Sequence, residues 1–191
     1  MLISCLSTLA GKKVAEKRKT AEGLRHIYVT NSKKIELLLP EYSSGVFEGL
    51  QSLSGTFGNK SFWLLSYTQI DSKGISLSLM NDFGGDMGNI SYDGNQVIFD
   101  SAYFSKNLPG EYIICDIQNA FYDAAALEEN YAAVGLTFET LVVLRETGEP
   151  EEYRRIFDGK KLIEEIIIYN GSVSVENFLR GYEYKLTKVE E

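Results

Sequence analysis

Four turn signals punctuate this chain, and they constrain its fold more than any other feature. Asp71-Ser72-Lys73-Gly74, Asp93-Gly94, Asp158-Gly159 and Asn170-Gly171 each join a residue that bonds its own backbone to a glycine that accepts positive φ. Short runs rich in β-branched and aromatic residues lie between them. Ile75-Ser76-Leu77-Ser78-Leu79 alternates apolar and polar without a break, the pattern of a strand with one buried face. The spacing predicts strands over 63–70, 75–79, 89–92 and 96–99, and then over 136–144, 153–157, 162–169, 173–178 and 182–189. An earlier apolar run, Ile35 to Leu39, is stopped by Pro40.

Helical signals interrupt the strands once. Asn107-Leu108-Pro109 can open a helix, since proline is tolerated in a first turn. Tyr112, Ile113, Ile117, Ala120 and Phe121 then fall on one helical face. Asp123 suits the N-cap of a second helix running to Val134, with Gly135 just past its end. Many short strands with tight turns point to a mainly β, α+β fold whose sheet curls into a barrel or half-barrel. Two inserted helices are placed to plug or cap the concave side.

Charge narrows the partners. The net charge of −8 argues against nucleic acid, whose binding rests on neutralising phosphates. At 191 residues with 44% apolar content, one folded domain is expected, over 23–191. No run reaches the roughly 18 apolar residues of a spanning helix. Any membrane link must therefore come through lipid or through the surface.

The N-terminus suggests such a link. Leu2-Ile3-Ser4-Cys5 has the form of a bacterial lipoprotein signal at its cleavage point, with Cys5 as the lipidated residue. A full signal carries a basic stretch and then about 7–15 apolar residues ahead of that site. Only Met1 to Ser4 precede Cys5, so either the start is drawn late or the match is chance. Residues 1–22 read as signal remnant and tether. Lys12, Lys13, Lys17, Arg18 and Lys19 form a solvated tether diluted by Glu16 and Glu22, or a polybasic segment facing anionic headgroups. With Cys5 acylated, Cys115 reads as a small apolar helix residue.

Catalytic signals are sparse. The sole histidine, His26, precedes the β-rich body, and no Gly-x-Ser-x-Gly elbow occurs. Gly84-Gly85-Asp86-Met87-Gly88 lacks the Lys-Ser/Thr of a phosphate loop and reads as a hairpin connection. Asp82, Asp86 and Asp93 miss the calcium-loop spacing, and two cysteines with one histidine make no zinc pattern. Glu151-Glu152 and Glu164-Glu165 are neighbours on strands, so each pair points to opposite faces. They make poor acid–base partners unless other groups join them. An enzyme is not expected, and neither is a cofactor or metal.

From about Val46 to Phe99, the strand order, Asn81-Asp82-Phe83-Gly84 and the Asp93-Gly94 hairpin resemble the bacterial lipoprotein-localisation factors LolA and LolB, LolB especially. The later part resembles a family of uncharacterised outer-membrane lipoproteins thought to share that fold. Its marks are Asp116-Ile117-Gln118 and the run Val173 to Tyr182. The resemblance implies an incomplete antiparallel barrel with helices over its open side, enclosing an apolar cavity for acyl chains. It implies a lipid-anchored protein on the periplasmic face of the outer membrane that binds or transfers a lipidic or acylated molecule. A tethered envelope adaptor with a filled core and no ligand is the alternative.

The resemblance also marks residues. Phe83 corresponds to an apolar turn residue that helps LolB deliver its cargo to the membrane, so Phe83 is the candidate membrane-contact tip. The alternative is a phenylalanine folded back on the core, and Asp82 beside it disfavours insertion. Candidate cavity-lining residues are Trp63, Leu65 and Tyr67, then Ile75, Leu77 and Leu79, with Ile113, Ile117 and Phe121 from the first helix. The same residues would pack a filled core, and periodicity does not separate the two.

Overall fold

The computed structural model describes residues 26–100 and 110–189. Cys5, the tether and the expected helix start at Asn107-Leu108-Pro109 lie outside them. A two-stranded sheet, β1 (His26–Tyr28) and β2 (Lys34–Glu36), comes first. Five strands follow: β3 (Phe47–Phe57), β4 (Lys60–Asp71), β5 (Gly74–Met80), β6 (Asp86–Tyr92) and β7 (Val97–Asp100). Then come two helices, α1 (Gly110–Phe121) and α2 (Ala124–Ala132). The last strands are β8 (Thr137–Leu144), β9 (Pro150–Asp158), β10 (Lys161–Tyr169), β11 (Ser172–Asn177) and β12 (Tyr182–Lys188).

All ten strands after β2 join one antiparallel sheet in the order β7-β6-β5-β4-β3-β12-β11-β10-β9-β8. The two meanders meet where β3 pairs with β12, placing Leu53 opposite Leu186. Because β7 and β8 end the order without pairing, the sheet is open, consistent with an incomplete barrel. Helix α1 touches β6 and β7 near one edge and β10 towards the other. Only a sheet curled around the helix allows that.

Buried residues share one face of the sheet. Leu64, Ile70, Ile75, Leu77, Leu79 and Ile90 supply it from β4 to β6. Ile156, Ile166, Val173, Val175 and Leu186 supply it from β9 to β12. Helix α1 fills the space between. The one-sided face expected for it becomes burial on every side, because all residues from Ile113 to Ala120 are buried. A helix enclosed all round has to bring partners for its polar residues, since a buried polar group without a hydrogen bond costs on the order of 1–3 kcal/mol.

Local chemistry explains the junctions. Asp123 caps α2, its side chain accepting from the Ala126 N–H at 2.9 Å. After α2, the Leu136 N–H returns to the Tyr131 carbonyl at 3.0 Å, with Gly135 at φ 72°. That pattern ends the helix and launches β8. No helix among the described residues is long and apolar enough to cross a membrane.

Candidate functional site

Beneath α1 the residues form two adjoining features, an apolar pocket and a buried polar cage. The pocket, about 30 Å³, lies between α1 and the centre of the sheet. Ile113 and Ile117 of α1 face Leu53, Phe62, Leu77 and Leu186, and Tyr182 and Tyr184 complete the apolar wall. Such a volume is on the order of a single water molecule's, far below the roughly 150 Å³ of a cavity that holds benzene. With α1 seated, this pocket is too small for an acyl chain.

The cage lies behind the two tyrosines. Asp116 of α1 accepts from the Tyr182 hydroxyl at 2.8 Å and the Tyr184 hydroxyl at 3.2 Å through the same Oδ2. Glu164 of β10 accepts from the Asn119 side-chain amide at 2.9 Å and the Asn177 amide at 2.8 Å. Asn119 Oδ1 in turn accepts from the Tyr131 hydroxyl at 3.0 Å. Gln118 is bound twice to the backbone of Leu38, donating at 2.8 Å and accepting at 2.9 Å. Arg154 of β9 donates to the carbonyls of Asn119 and Tyr122 at 3.0 and 2.8 Å, and pairs with Glu152 at 2.6 Å. These bonds fasten the C-terminal half of α1 to β9, β10, β11, β12 and the segment after β2.

Burial governs the charges in this cage. Loss of solvent, and then the negative charge of Glu164, push the Asp116 carboxyl well above the usual carboxylate range. Loss of solvent pushes Glu164 up to about 7, against the Asn119 and Asn177 amides. The positive charge of Arg180 opposes both shifts. Its guanidinium sits 4.0 Å from the Tyr112 ring centre and donates to the Tyr28 carbonyl. Burial likewise raises the phenols of Tyr182 and Tyr184, with Asp116 the next cause. Loss of solvent around both acids favours retention of a proton.

The expected site residues divide between the two faces of the sheet. Ile75, Leu77, Leu79, Ile113 and Ile117 come together in the core, and the Phe121 ring lies tilted against that of Phe47, 5.2 Å between centres. Trp63, Leu65 and Tyr67, expected to line the interior, point to the outer face, with Trp63 half exposed. The inner row of β4 is instead Leu64, Ser66, Thr68 and Ile70. Ser66 and Thr68 tolerate burial because their hydroxyls bond each other at 3.1 Å. Residues opposite one another in an antiparallel pair share a face. The pairing of Ile70 with Ile75 across the Asp71–Gly74 turn was the signal that sets this register.

Phe83 stands at the tip of the β5–β6 turn and is 91% exposed. Asn81 ties that turn, its Oδ1 accepting from the N–H groups of Phe83 and Gly85 at 3.0 and 2.7 Å. Gly84 takes φ 77°, which a side chain would resist. The same end of the sheet carries the β3–β4 and β11–β12 turns, since Phe57 pairs with both Lys60 and Tyr182. Half-exposed Trp63 and Phe178 therefore stand at the end that also bears Phe83 and Phe62.

Sequence reasoning missed the cage. In the sequence Glu164 reads only as one of an adjacent pair with Glu165 that faces opposite ways, and the second acid comes from a helix 48 positions earlier. The two family-like stretches, Asp116-Ile117-Gln118 and Val173 to Tyr182, meet here, contributing Asp116, Gln118, Asn177 and Tyr182. No curated protein matches the chain. Residues 49–190, from β3 to beyond β12, match the family described as "Protein of unknown function (DUF3261)", and the chain belongs to that family.

Proposed function

We propose that this is a lipid-anchored, periplasm-facing outer-membrane protein with a LolA/LolB-like half-barrel that binds or hands on the apolar part of a lipidic or acylated molecule. The anchor is Cys5, on the strength of Leu2-Ile3-Ser4-Cys5. One observation carries the binding role: the apolar pocket under α1 reaches Phe62, at the end of the sheet where Phe83, Trp63 and Phe178 are exposed. An apolar chain arriving there meets aromatic surface outside and aliphatic surface within. Each buried CH₂ contributes about 0.8 kcal/mol.

The pocket's size sets the mechanism. A chain enters only as the N-terminal half of α1, with Ile113, lifts from the sheet, while Ile117 stays seated between the caged Asp116 and Gln118. The cage fastens the other half and acts as the hinge. No cofactor, metal or enzymatic step belongs to this reading. A second reading, a tethered envelope adaptor without a ligand, is favoured by the burial of α1 and the small pocket.

Uptake of a fluorescent fatty acid separates the two. Binding is expected to saturate, and to be lost in Ile113→Trp, which fills the pocket, with the circular dichroism of the folded chain retained. Absence of uptake by the folded wild-type chain removes the carrier role and leaves the adaptor.

A further inference from the structure

The edge strand β8 carries a surface that neither the pocket nor the cage uses. Leu141, Val142, Val143 and Leu144 are all exposed, Leu144 by 70%. They lie on both faces of a strand that has no neighbour beyond it among the described residues. Edge strands usually guard their unpaired backbone with lysine, proline or a bulge. Residues 140–144 have none of these. The other edge, β7, has only four residues and is flanked by α1.

We propose that β8 pairs with β8 of a second copy of this chain, antiparallel and centred on Val142. The backbone sets the parity. The Arg145 N–H bonds the Glu149 carbonyl at 3.0 Å, so Arg145 turns its backbone groups towards β9. Those groups alternate sides along a strand. Residues 139, 141 and 143 therefore also face β9, and Thr140, Val142 and Leu144 present theirs to the open edge. A second β8 must match even residues with even.

Charge then selects the register. Centring on Val142 places Thr140 opposite Leu144 and Leu141 opposite Val143. It also sets Glu139 opposite Arg145, once at each end of the two-fold pairing. Centring on Leu141 instead sets Glu139 against Val143, and centring on Val143 sets Glu139 against Thr147; neither pairs opposite charges. Glu139 is exposed, and the Arg145 side chain, although bound to Glu151 and stacked 4.0 Å from the Tyr169 ring, is 45% exposed. A guanidinium has donors for both carboxylates.

Sedimentation of the full chain with Cys5→Ser, in reductant and over a concentration series, tests the pairing. The expected mass doubles with concentration. Val142→Pro removes one open-edge donor without touching the β8–β9 ladder, and should halve that mass with circular dichroism unchanged. In the Cys5→Ser background, Val142→Cys should cross-link two copies on oxidation, since hydrogen-bonded partners stand about 5.5 Å apart at Cα. Val143→Cys should cross-link far less. A folded wild-type chain that stays monomeric overturns the proposal, including the case where the chain's own N-terminal residues protect the edge from hydrogen exchange. A dimer that survives Val142→Pro, or equal cross-linking at 142 and 143, overturns it as well.

Discussion

Asp116 and Glu164 set how this protein responds to pH. A carboxyl whose folded pKa lies above its unfolded value holds its proton more tightly in the folded state. Folding is then favoured while both states are protonated, and stability falls as pH climbs through the window between the two values. For Glu164 that window runs from 4.5 in the unfolded chain to about 7 in the fold. The expected outcome is a melting temperature that drops between those pH values, with a slope of up to about 1.4 kcal/mol per pH unit for one proton. Glu164→Gln should flatten that slope, and melting curves at stepped pH check it. The variant also costs about 1–3 kcal/mol at the acid end, because its amide nitrogen meets an amide donor of Asn119 or Asn177.

At the scale of elements, α2 and the β5–β6 turn make separate expectations. Asp123→Ala removes the cap on the Ala126 N–H and should destabilise the fold by about 0.5–2 kcal/mol in chemical denaturation. Phe83→Ser removes a side chain that is 91% exposed, so stability should change by no more than about 0.5 kcal/mol. Its binding to lipid vesicles should fall, and co-flotation measures that; unchanged flotation retires the tip. Legibility in the sequence follows the same elements. The Asp123 cap and the β5 alternation were read directly, because each is written within a few neighbouring residues. The facing of β4 was not, since Ser66 and Thr68 look like surface residues until their hydroxyls are seen to satisfy each other. Strand β3 carries four serines and glycines among its eleven residues, and its form is set by pairing with β4 and β12. The cage was illegible because its members come from α1, α2, β10, β11 and β12, which only the folded chain brings together.

The whole molecule is an open sheet wrapped around one of its own helices. Its central helix occupies the space an incomplete barrel would otherwise leave to a ligand, fastened by the polar bonds of Asp116 to Asn119 and bordered by an apolar pocket at Ile113 and Ile117. Its aromatic end and its bare β8 edge lie on different parts of that sheet and answer to different tests. Binding of an apolar chain under α1 is most directly checked by mass spectrometry of the protein extracted from cell membranes, recorded under native and then denaturing conditions. The native spectrum should show the chain with an added amphiphile of lipid mass, lost on denaturation and absent from Ile113→Trp, while any lipid on Cys5 survives denaturation. Identical native and denatured masses, together with no uptake of added fatty acid, would contradict it.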